Sequence, residues 1–278
     1  MEFLTAPGIR SLAQSLNFNP KKAFGQNFLL DANVVRSIVQ KADVQADDVV
    51  LEIGPGFGSL TLGLIEKAQS VIAVEINHDL ASLLPNTMKQ YAPEFAHKLI
   101  VIADDALNIK QLPLAPSVLV ANLPYNVSVP IILHLLETFP SLQSGVVMVQ
   151  TEVADRLVAS PSMKAYGVPS VKLAWYAKAK KVGDVSRNVF WPSPNVDSSL
   201  VYFSRHEAAL ADVDQRKLFS LIDLAFATRR KMLRSALSTW LSADTVFDVA
   251  GINPTLRGEA LGVLDFVRLL QANQGGNR

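Results

Sequence analysis

The chain has 278 residues, 49% of them hydrophobic, and its 26 Lys and Arg nearly balance its 25 Asp and Glu at a formal net charge of +1. Such a balance predicts a folded globule with one large core, or a large domain with a small one attached, and excludes disorder. The absence of cysteine removes disulfides, thiolate zinc sites, iron–sulfur clusters and cysteine nucleophiles.

The opening MEFLTAPGIR carries an acid and no apolar core run, so it does not read as a signal peptide. Runs such as VPIILHLL and GVVMV are too short to span a bilayer, and a cytoplasmic enzyme is the expectation. Short β-branched runs then alternate with helical patterns. DVVLEI (48–53) precedes a helix over 59–68, and VIAVE (71–75) precedes another around 78–90. KLIVIA (98–103) and SVLVA (117–121) follow, then a helix over 127–137 and GVVMVQ (145–150). These runs are apolar on both faces, as strands of a parallel sheet covered by helices are. The alternation predicts a doubly wound, Rossmann-like α/β domain.

KAKKVGDVSRNVF and SSLVYFSR predict a terminal strand pair, antiparallel, at the end of that domain. After His206 the pattern becomes helical, through DQRKLFSLIDLAFA, RRKMLRSALSTWL and TLRGEALGVLDFVRLLQAN. The expected division is therefore 1–205 for the α/β domain and 206–278 for a small all-helical domain. Asp212 or Asp214 is the candidate cap of the first helix, GINPT (251–255) breaks the chain before the last, and the tail QGGNR is expected to fray. Basic clusters occur at Lys21 and Lys22, at Lys178, Lys180, Lys181 and Arg187, and at Arg229, Arg230, Lys231 and Arg234. Each alone reads as a solvated face; together they permit an RNA partner without requiring one.

VVLEIGPGFGSLT is a strand, a glycine turn and a helix start. Glycine lets the backbone turn tightly and a ligand approach, and the helix beyond offers free N–H groups. The glycines fall at 54, 56 and 58 with Ser59 in the sixth position, whereas a dinucleotide fingerprint has G-x-G-x-x-G. Glu75 ends the next strand, 21 residues after Gly54, where a carboxylate accepts from both hydroxyls of a ribose. Asp105 ends the one after, placed to accept from an adenine amino group. Three successive strand ends thus predict an adenosine site without a pyrophosphate grip, which suits S-adenosylmethionine and not a dinucleotide. The bland alternatives are a structural turn and two exposed acids.

The fourth strand end carries ANLPYNVSVP, residues 121–130. An adenine 6-amino group is a poor nucleophile because its lone pair is delocalised into the ring. Two acceptors gripping its hydrogens, the Asn122 side-chain oxygen and the Leu123 backbone carbonyl, would favour a pyramidal nitrogen. Pro124 fixes the backbone, and Tyr125 supplies a face on which an extruded base can stack. Taken alone the stretch is an ordinary strand-to-turn proline with a packed tyrosine; after an adenosine site it reads as a base-modifying site.

FGQNFLLD (24–31), LEIGPGFGSLT (51–61), AVEIN (73–77), DDAL (104–107), ANLPYNVSVPI (121–131), VQTEVADRL (149–157), FWPSPNVDSSL (190–200) and FATRRKMLRSAL (226–237) stand in this order along nearly the whole chain. The set resembles the ribosomal RNA adenine dimethyltransferases, most of all their bacterial small-subunit branch, whose loss confers kasugamycin resistance. The resemblance implies methyl transfer from S-adenosylmethionine to the 6-amino groups of two adjacent adenosines in a hairpin loop near the 3′ end of 16S ribosomal RNA. The implied partner is that RNA within a pre-30S particle, and the implied enzyme is a monomer. It further implies that Asn27 and the Leu29 backbone touch the methyl donor and that Gly54, Gly56 and Gly58 sit against its methionine part. Glu75 would meet the ribose and Asp105 the adenine. Asn122 would meet both donor and target amine, with Leu123 and Pro124 completing the grip. Tyr125 and Phe190 would take opposite faces of the target base. Apart from the resemblance, the spacing of Arg230 and Arg234 predicts one shared helix face near a helix start, from which Arg229, Arg230, Lys231 and Arg234 would grip RNA phosphates. ADDAL departs from the family pattern, which has Gly or Gln before the acid, and leaves Asp104 and Asp105 as alternatives at the adenine. Trp191 is an unusual residue at a variable position.

In-line transfer needs no covalent intermediate, no histidine base and no metal, since the four histidines lie outside every motif. Three rivals stand beside this reading: a large-subunit RNA adenine methyltransferase conferring macrolide resistance, a ribosome-assembly binding factor without catalysis, and a nicotinamide dehydrogenase, which the glycine spacing disfavours.

Overall fold

The computed structural model describes residues 2–20, 26–228, 230–241, 243 and 245–275. Two compact units emerge, one of residues Met1–Ala154 with Lys180–Arg205, the other of Asp155–Ala179 with His206–Arg278.

The first unit opens with α1 (Ala6–Ser15), β1 (Phe28–Leu29) and α2 (Ala32–Ala42). Asp31 starts α2 by accepting from the backbone N–H of Asn33 and Val34, the usual way a carboxylate satisfies orphan donors of a helix start. Then come β2 (Val49–Ile53), α3 (Ser59–Lys67), β3 (Ser70–Val74), α4 (His78–Tyr91), β4 (Leu99–Ile102), β5 (Val118–Asn122), α5 (Ser128–Thr138) and β6 (Ser144–Gln150). After α6 (Thr151–Val158) and α7 (Val168–Tyr176), β7 (Ala177–Val185), β8 (Phe190–Trp191) and β9 (Ser198–Arg205) complete the strands.

Seven strands form one sheet in the order β4-β3-β2-β5-β6-β9-β7. β2 pairs in parallel with β3 on one side, Ile53 opposite Val74, and with β5 on the other, Leu51 opposite Leu119. The chain therefore runs outward through β2, β3 and β4 and returns past its start to β5. That reversal is the switch point at which open α/β sheets bind ligands beyond their strand ends. Four of the five predicted apolar strands are buried on both faces, Leu51, Ile72, Leu119 and Val146 having no exposed surface where α2 and α3 pack on the sheet, whereas the edge strand β4 is half-buried throughout. Gly54, Glu75, Asp104 and Asn122 all fall at or just past the carboxyl ends of adjacent strands.

The expected terminal pair forms, with β7 and β9 adjacent at the end of the sheet. β9 pairs antiparallel with β6, Met148 opposite Leu200, and β7 lies outside it. Phe190 and Trp191 leave the sheet and form a two-stranded ladder with β1, Phe28 opposite Trp191 and Leu29 opposite Phe190.

The second unit holds α8 (Gln215–Ala227), α9 (Leu233–Ala236), α10 (Val246–Ala250) and α11 (Val263–Gly275) around Leu218, Leu221, Phe247, Phe266 and Leu269. Asp214, not Asp212, caps α8. Asp155–Ala179, which the sequence placed with the α/β domain, belongs to this unit by packing. Tyr166 and Val171 are buried in its core, and the Tyr166 hydroxyl donates to the Leu261 carbonyl at 2.7 Å. RRKMLRSAL forms only the single turn of α9, because the N–H groups of Leu233 and Arg234 donate to Leu256 and Pro254 of the 253–256 turn and not to a preceding helical turn. The last helix starts at Val263, with Asp265 accepting from the Gly262 N–H at 2.7 Å. Gly258 is pressed against the Ala225 backbone, where a Cβ would lie 2.9 Å from the carbonyl oxygen. Of the tail, Gln274 and Gly275 remain helical and 276–278 lie outside the described residues. No helix among the described residues is long and apolar enough to cross a membrane.

Candidate active site

The glycine turn is built on left-handed backbone: φ is +68° at Gly54, +58° at Gly56 and +96° at Gly58, a region that side chains strain to enter. At Gly56 space is closed as well, since a Cβ would lie 2.7 Å from the Phe28 ring. Phe28 packs edge-on against Phe18 and Phe57, so the segment after residue 25 is held down on the turn by aromatic contacts.

Beyond the turn lies a cleft of about 220 Å³. It is lined by Asn27 and Leu29 at β1, by Gly54 and Gly56 of the turn, by Glu75 just past β3, by Asp104 and Asp105 just past β4, and by Asn122 and Pro124 at the end of β5. Four strand ends thus reach one cavity. Gly58 does not line it: that residue starts α3, and its missing Cβ makes room for Leu84 and Met88.

Glu75 is almost fully buried, and its two oxygens accept from the backbone N–H of Gly56 at 3.1 Å and of Asn77 at 3.0 Å. Burial raises its pKa, and the N–H groups of Asn77, Gly56 and Ile76 hold the rise back. The carboxylate so fixed ties the turn to the tip of β3 and keeps lone pairs for a ligand. Asp105 is half-buried and accepts from the Leu107 N–H at 2.9 Å, while the exposed Asp104 turns its carboxylate back on the Asp105 N–H at 2.7 Å.

Asn122 donates its side-chain N–H to the Asn27 carbonyl at 2.9 Å. That bond settles the amide's orientation and leaves Oδ1 as an acceptor. Leu123 is buried, its N–H donates to the Met148 carbonyl at 3.1 Å, and no described residue donates to its own carbonyl. Tyr125 is half-buried at the following turn. Its hydroxyl shares a 2.9 Å hydrogen bond with the fully buried Ser198 of β9, and burial raises its pKa, a rise that this bond offsets and nearby Asp197 augments. The ring is anchored beside the cleft and does not line it. Phe190 is only 3% exposed, packed in the core behind Leu29, and presents no face to the cleft.

Of the basic residues at 229–234, Arg229 lies outside the described residues, as do Lys21 and Lys22. Arg230 and Lys231 sit on the turn before α9, so the shared helix face expected of Arg230 and Arg234 does not form. Arg230, Lys231 and Arg234 are exposed, and none of their side chains has a partner among the described residues. In the other cluster Lys181 pairs with Asp184 at 3.0 Å, Arg187 donates to the Asn195 carbonyl at 2.9 Å and Lys180 lies over the Tyr202 ring, while Lys178 is exposed.

Residues beyond the sequence reading complete the lining, among them Gln26, Ile76, Leu107, Ile131 and above all Glu52. Glu52 is 1% exposed, and burial pushes its carboxyl up to about 8, a shift the Thr61 hydroxyl offsets in part and neighbouring Glu75 increases. The signal was available: one acid in the otherwise apolar run VVLEI. Among the described lining residues there is no Lys, Arg or His. Among the described residues no cluster could hold a metal ion.

The family model for ribosomal RNA adenine dimethylase matches residues 17–272. The chain is 54% identical over 266 residues to a protein of Leifsonia xyli subsp. xyli (strain CTCB07), covering 94% of this chain and 95% of the relative. It is 50% identical over 273 residues to one of Arthrobacter sp. (strain FB24), covering 97% and 92% respectively. Both relatives are named ribosomal RNA small subunit methyltransferase A. Among solved structures, a dimethyladenosine transferase from Plasmodium falciparum superposes with a TM-score of 0.77 at 25% identity, over 90% of this chain and 98% of that one.

Proposed function

We propose, from the premise that this chain belongs to the ribosomal RNA adenine dimethylase family, that it transfers methyl groups from S-adenosylmethionine to the 6-amino groups of two adjacent adenosines in small-subunit ribosomal RNA. The substrate is the hairpin loop near the 3′ end of 16S RNA, met in a pre-30S particle, and the enzyme works as a cytoplasmic monomer.

The observation that carries this reading is the pair of acceptors at the tip of β5. Asn122 Oδ1 is freed by the bond from its Nδ2 to Asn27, and the Leu123 carbonyl is unclaimed. Between them they can take both hydrogens of an exocyclic amine. The cleft beside them fits the methyl donor. Gly54 and Gly56 leave it room, Glu75 and Asp105 offer acceptors for ribose and adenine, and no described cation lines it to grip a pyrophosphate.

S-adenosylmethionine, when bound, supplies a methyl group already activated by its cationic sulfur. The chain therefore needs to orient and polarise, which is electrostatic preorganisation in place of acid–base catalysis. Asn27 and Leu29 cover the donor, Asn122 and Leu123 hold the amine, Pro124 fixes the turn and Tyr125 offers its ring to the base. Phe190 backs the same wall through its ladder with Leu29. Arg230, Lys231 and Arg234, without side-chain partners among the described residues, contact RNA phosphates.

The test is methyl transfer from labelled donor to small subunits that lack the modification, with the modified nucleotide identified. Dimethyladenosine in the small-subunit RNA is the expected product; label in large-subunit RNA, or none, would refute the reading.

A further inference from the structure

Glu52 is a buried acid that the methyl-transfer scheme does not use. It lies on β2, two residues before Gly54, lines the cleft and is 1% exposed. Its Oε2 has no hydrogen-bond partner, and neither does Oγ of Ser59 on the same lining. Leaving a buried carboxyl oxygen unpaired is costly unless a ligand completes it.

Among the described residues, the charges that line the cleft around it are all of one sign. Of the flanking strands, β5 has no titratable side chain and β3 leads only to Glu75 at its tip. The far side of the cleft adds Asp104 and Asp105, α3 presents the Thr61 hydroxyl, and no cation appears among the described lining residues. With no counter-charge among the described lining residues, a cationic ligand is the group that would supply one.

We propose that Glu52 is a charge-selective residue of the donor site: it is protonated in the free protein and gives up that proton when a cationic centre of the ligand arrives. The step balances simply. The carboxylic acid loses its proton to buffer, and the resulting carboxylate pairs with the ligand's cation. Two centres of S-adenosylmethionine share this chemistry, the α-ammonium and the sulfonium. The inference rests on the methyl-donor reading and adds a proton linkage to it. A carboxyl held up to about 8 by burial is mostly protonated at neutral pH, which supplies the proton to be lost.

The experiment is titration calorimetry on the full chain near pH 7, in buffers of different ionisation enthalpy, with S-adenosylmethionine, S-adenosylhomocysteine and 5′-methylthioadenosine. S-adenosylmethionine should release on the order of one proton, and its dissociation constant should weaken about tenfold per pH unit from pH 8 to pH 6. Glu52→Gln should abolish both effects, the ligand's own titration being common to the two proteins. Release with S-adenosylhomocysteine as well assigns the ammonium, and release with S-adenosylmethionine alone assigns the sulfonium. 5′-Methylthioadenosine, which has neither centre, should release none. Tight S-adenosylmethionine binding by the wild type without proton release, or equal release with 5′-methylthioadenosine, overturns the inference while the methyltransferase reading stands. No binding of S-adenosylmethionine at all overturns both. The wild-type proton count decides alone if the Gln variant fails to fold.

Discussion

Replacing Glu52 by Gln should stabilise the ligand-free protein, by an amount that grows with pH. The unfolded chain holds this carboxyl at its ordinary value of 4.5, whereas burial in the folded state raises it to about 8. Between those values the folded protein binds a proton that the unfolded chain has lost, so stability falls as pH rises, the reverse of a salt-bridged carboxylate. Below the ordinary value both states are protonated and the residue adds no pH dependence. At pH 7 the difference amounts to about 3 kcal/mol, at about 1.4 kcal/mol per pH unit, and at pH 5 to about 1 kcal/mol. Glutamine keeps the shape, has no charge to lose and escapes this term. The assay is urea unfolding of both proteins without ligand at pH 5 and pH 7. The advantage of Glu52→Gln over wild type should widen by about 2 kcal/mol across that interval. An advantage that stays constant or shrinks would show that the carboxyl is not held protonated by burial, and would remove the premise of the proton linkage.

Tyr125→Phe should lose only the hydroxyl bond to Ser198, about 0.5–1.5 kcal/mol in stability, and keep most methyl transfer. Tyr125→Ala should lose a stacking face worth about 1–3 kcal/mol in RNA affinity; equal activity of the two variants in steady-state assays would dismiss the stacking role. Neutralising Arg230, Lys231 and Arg234 together should flatten the plot of log affinity against log salt by about 2 for small-subunit RNA, with donor binding unchanged. An unaltered slope in filter-binding measurements would take these residues off the RNA surface.

What the sequence made legible was governed by local periodicity and by strand ends. The apolar strands from DVVLEI to GVVMVQ carry their own signal, all but the half-buried edge strand β4 being buried on both faces, and their tips bring Gly54, Glu75, Asp105 and Asn122 to one cleft. The helical unit was less legible because its elements are decided by contacts distant in sequence. RRKMLRSAL has helical composition, yet Leu233 and Arg234 hydrogen-bond to Leu256 and Pro254, and no local pattern announces that. Residues 155–179 read as a continuation of the α/β alternation, and only the burial of Tyr166 and Val171 assigns them elsewhere. The burial of Phe190, 3% exposed in its ladder with Leu29, is set by a strand far earlier in the chain and has no local signal. Glu52 escaped notice for the opposite reason: one acid in a strand leaves the period intact, and its isolation from counter-charges is a property of three dimensions.

The two acceptors at the tip of β5 also bear on how a second methyl is added. An unmodified adenine amine offers two hydrogens, one for Asn122 Oδ1 and one for the Leu123 carbonyl. After the first transfer a single hydrogen is left, so one of the two contacts must be surrendered. The partners are not equally able to yield. The Leu123 carbonyl is fixed by the N–H bond of its own residue to Met148 and by the proline that follows. The Asn122 side chain is held by one bond, to Asn27, and can turn away. The backbone carbonyl should therefore keep the last hydrogen, and the amide should contribute mainly to the first transfer. Asn122→Ala should then lose on the order of 2–4 kcal/mol of transition-state stabilisation in the first step and less in the second. Its residual product would be dimethyladenosine with little of the monomethyl form, as nucleoside analysis of single-turnover reactions would show. Accumulation of monomethyladenosine by this variant would mean that the amide, and not the carbonyl, guides the second methyl.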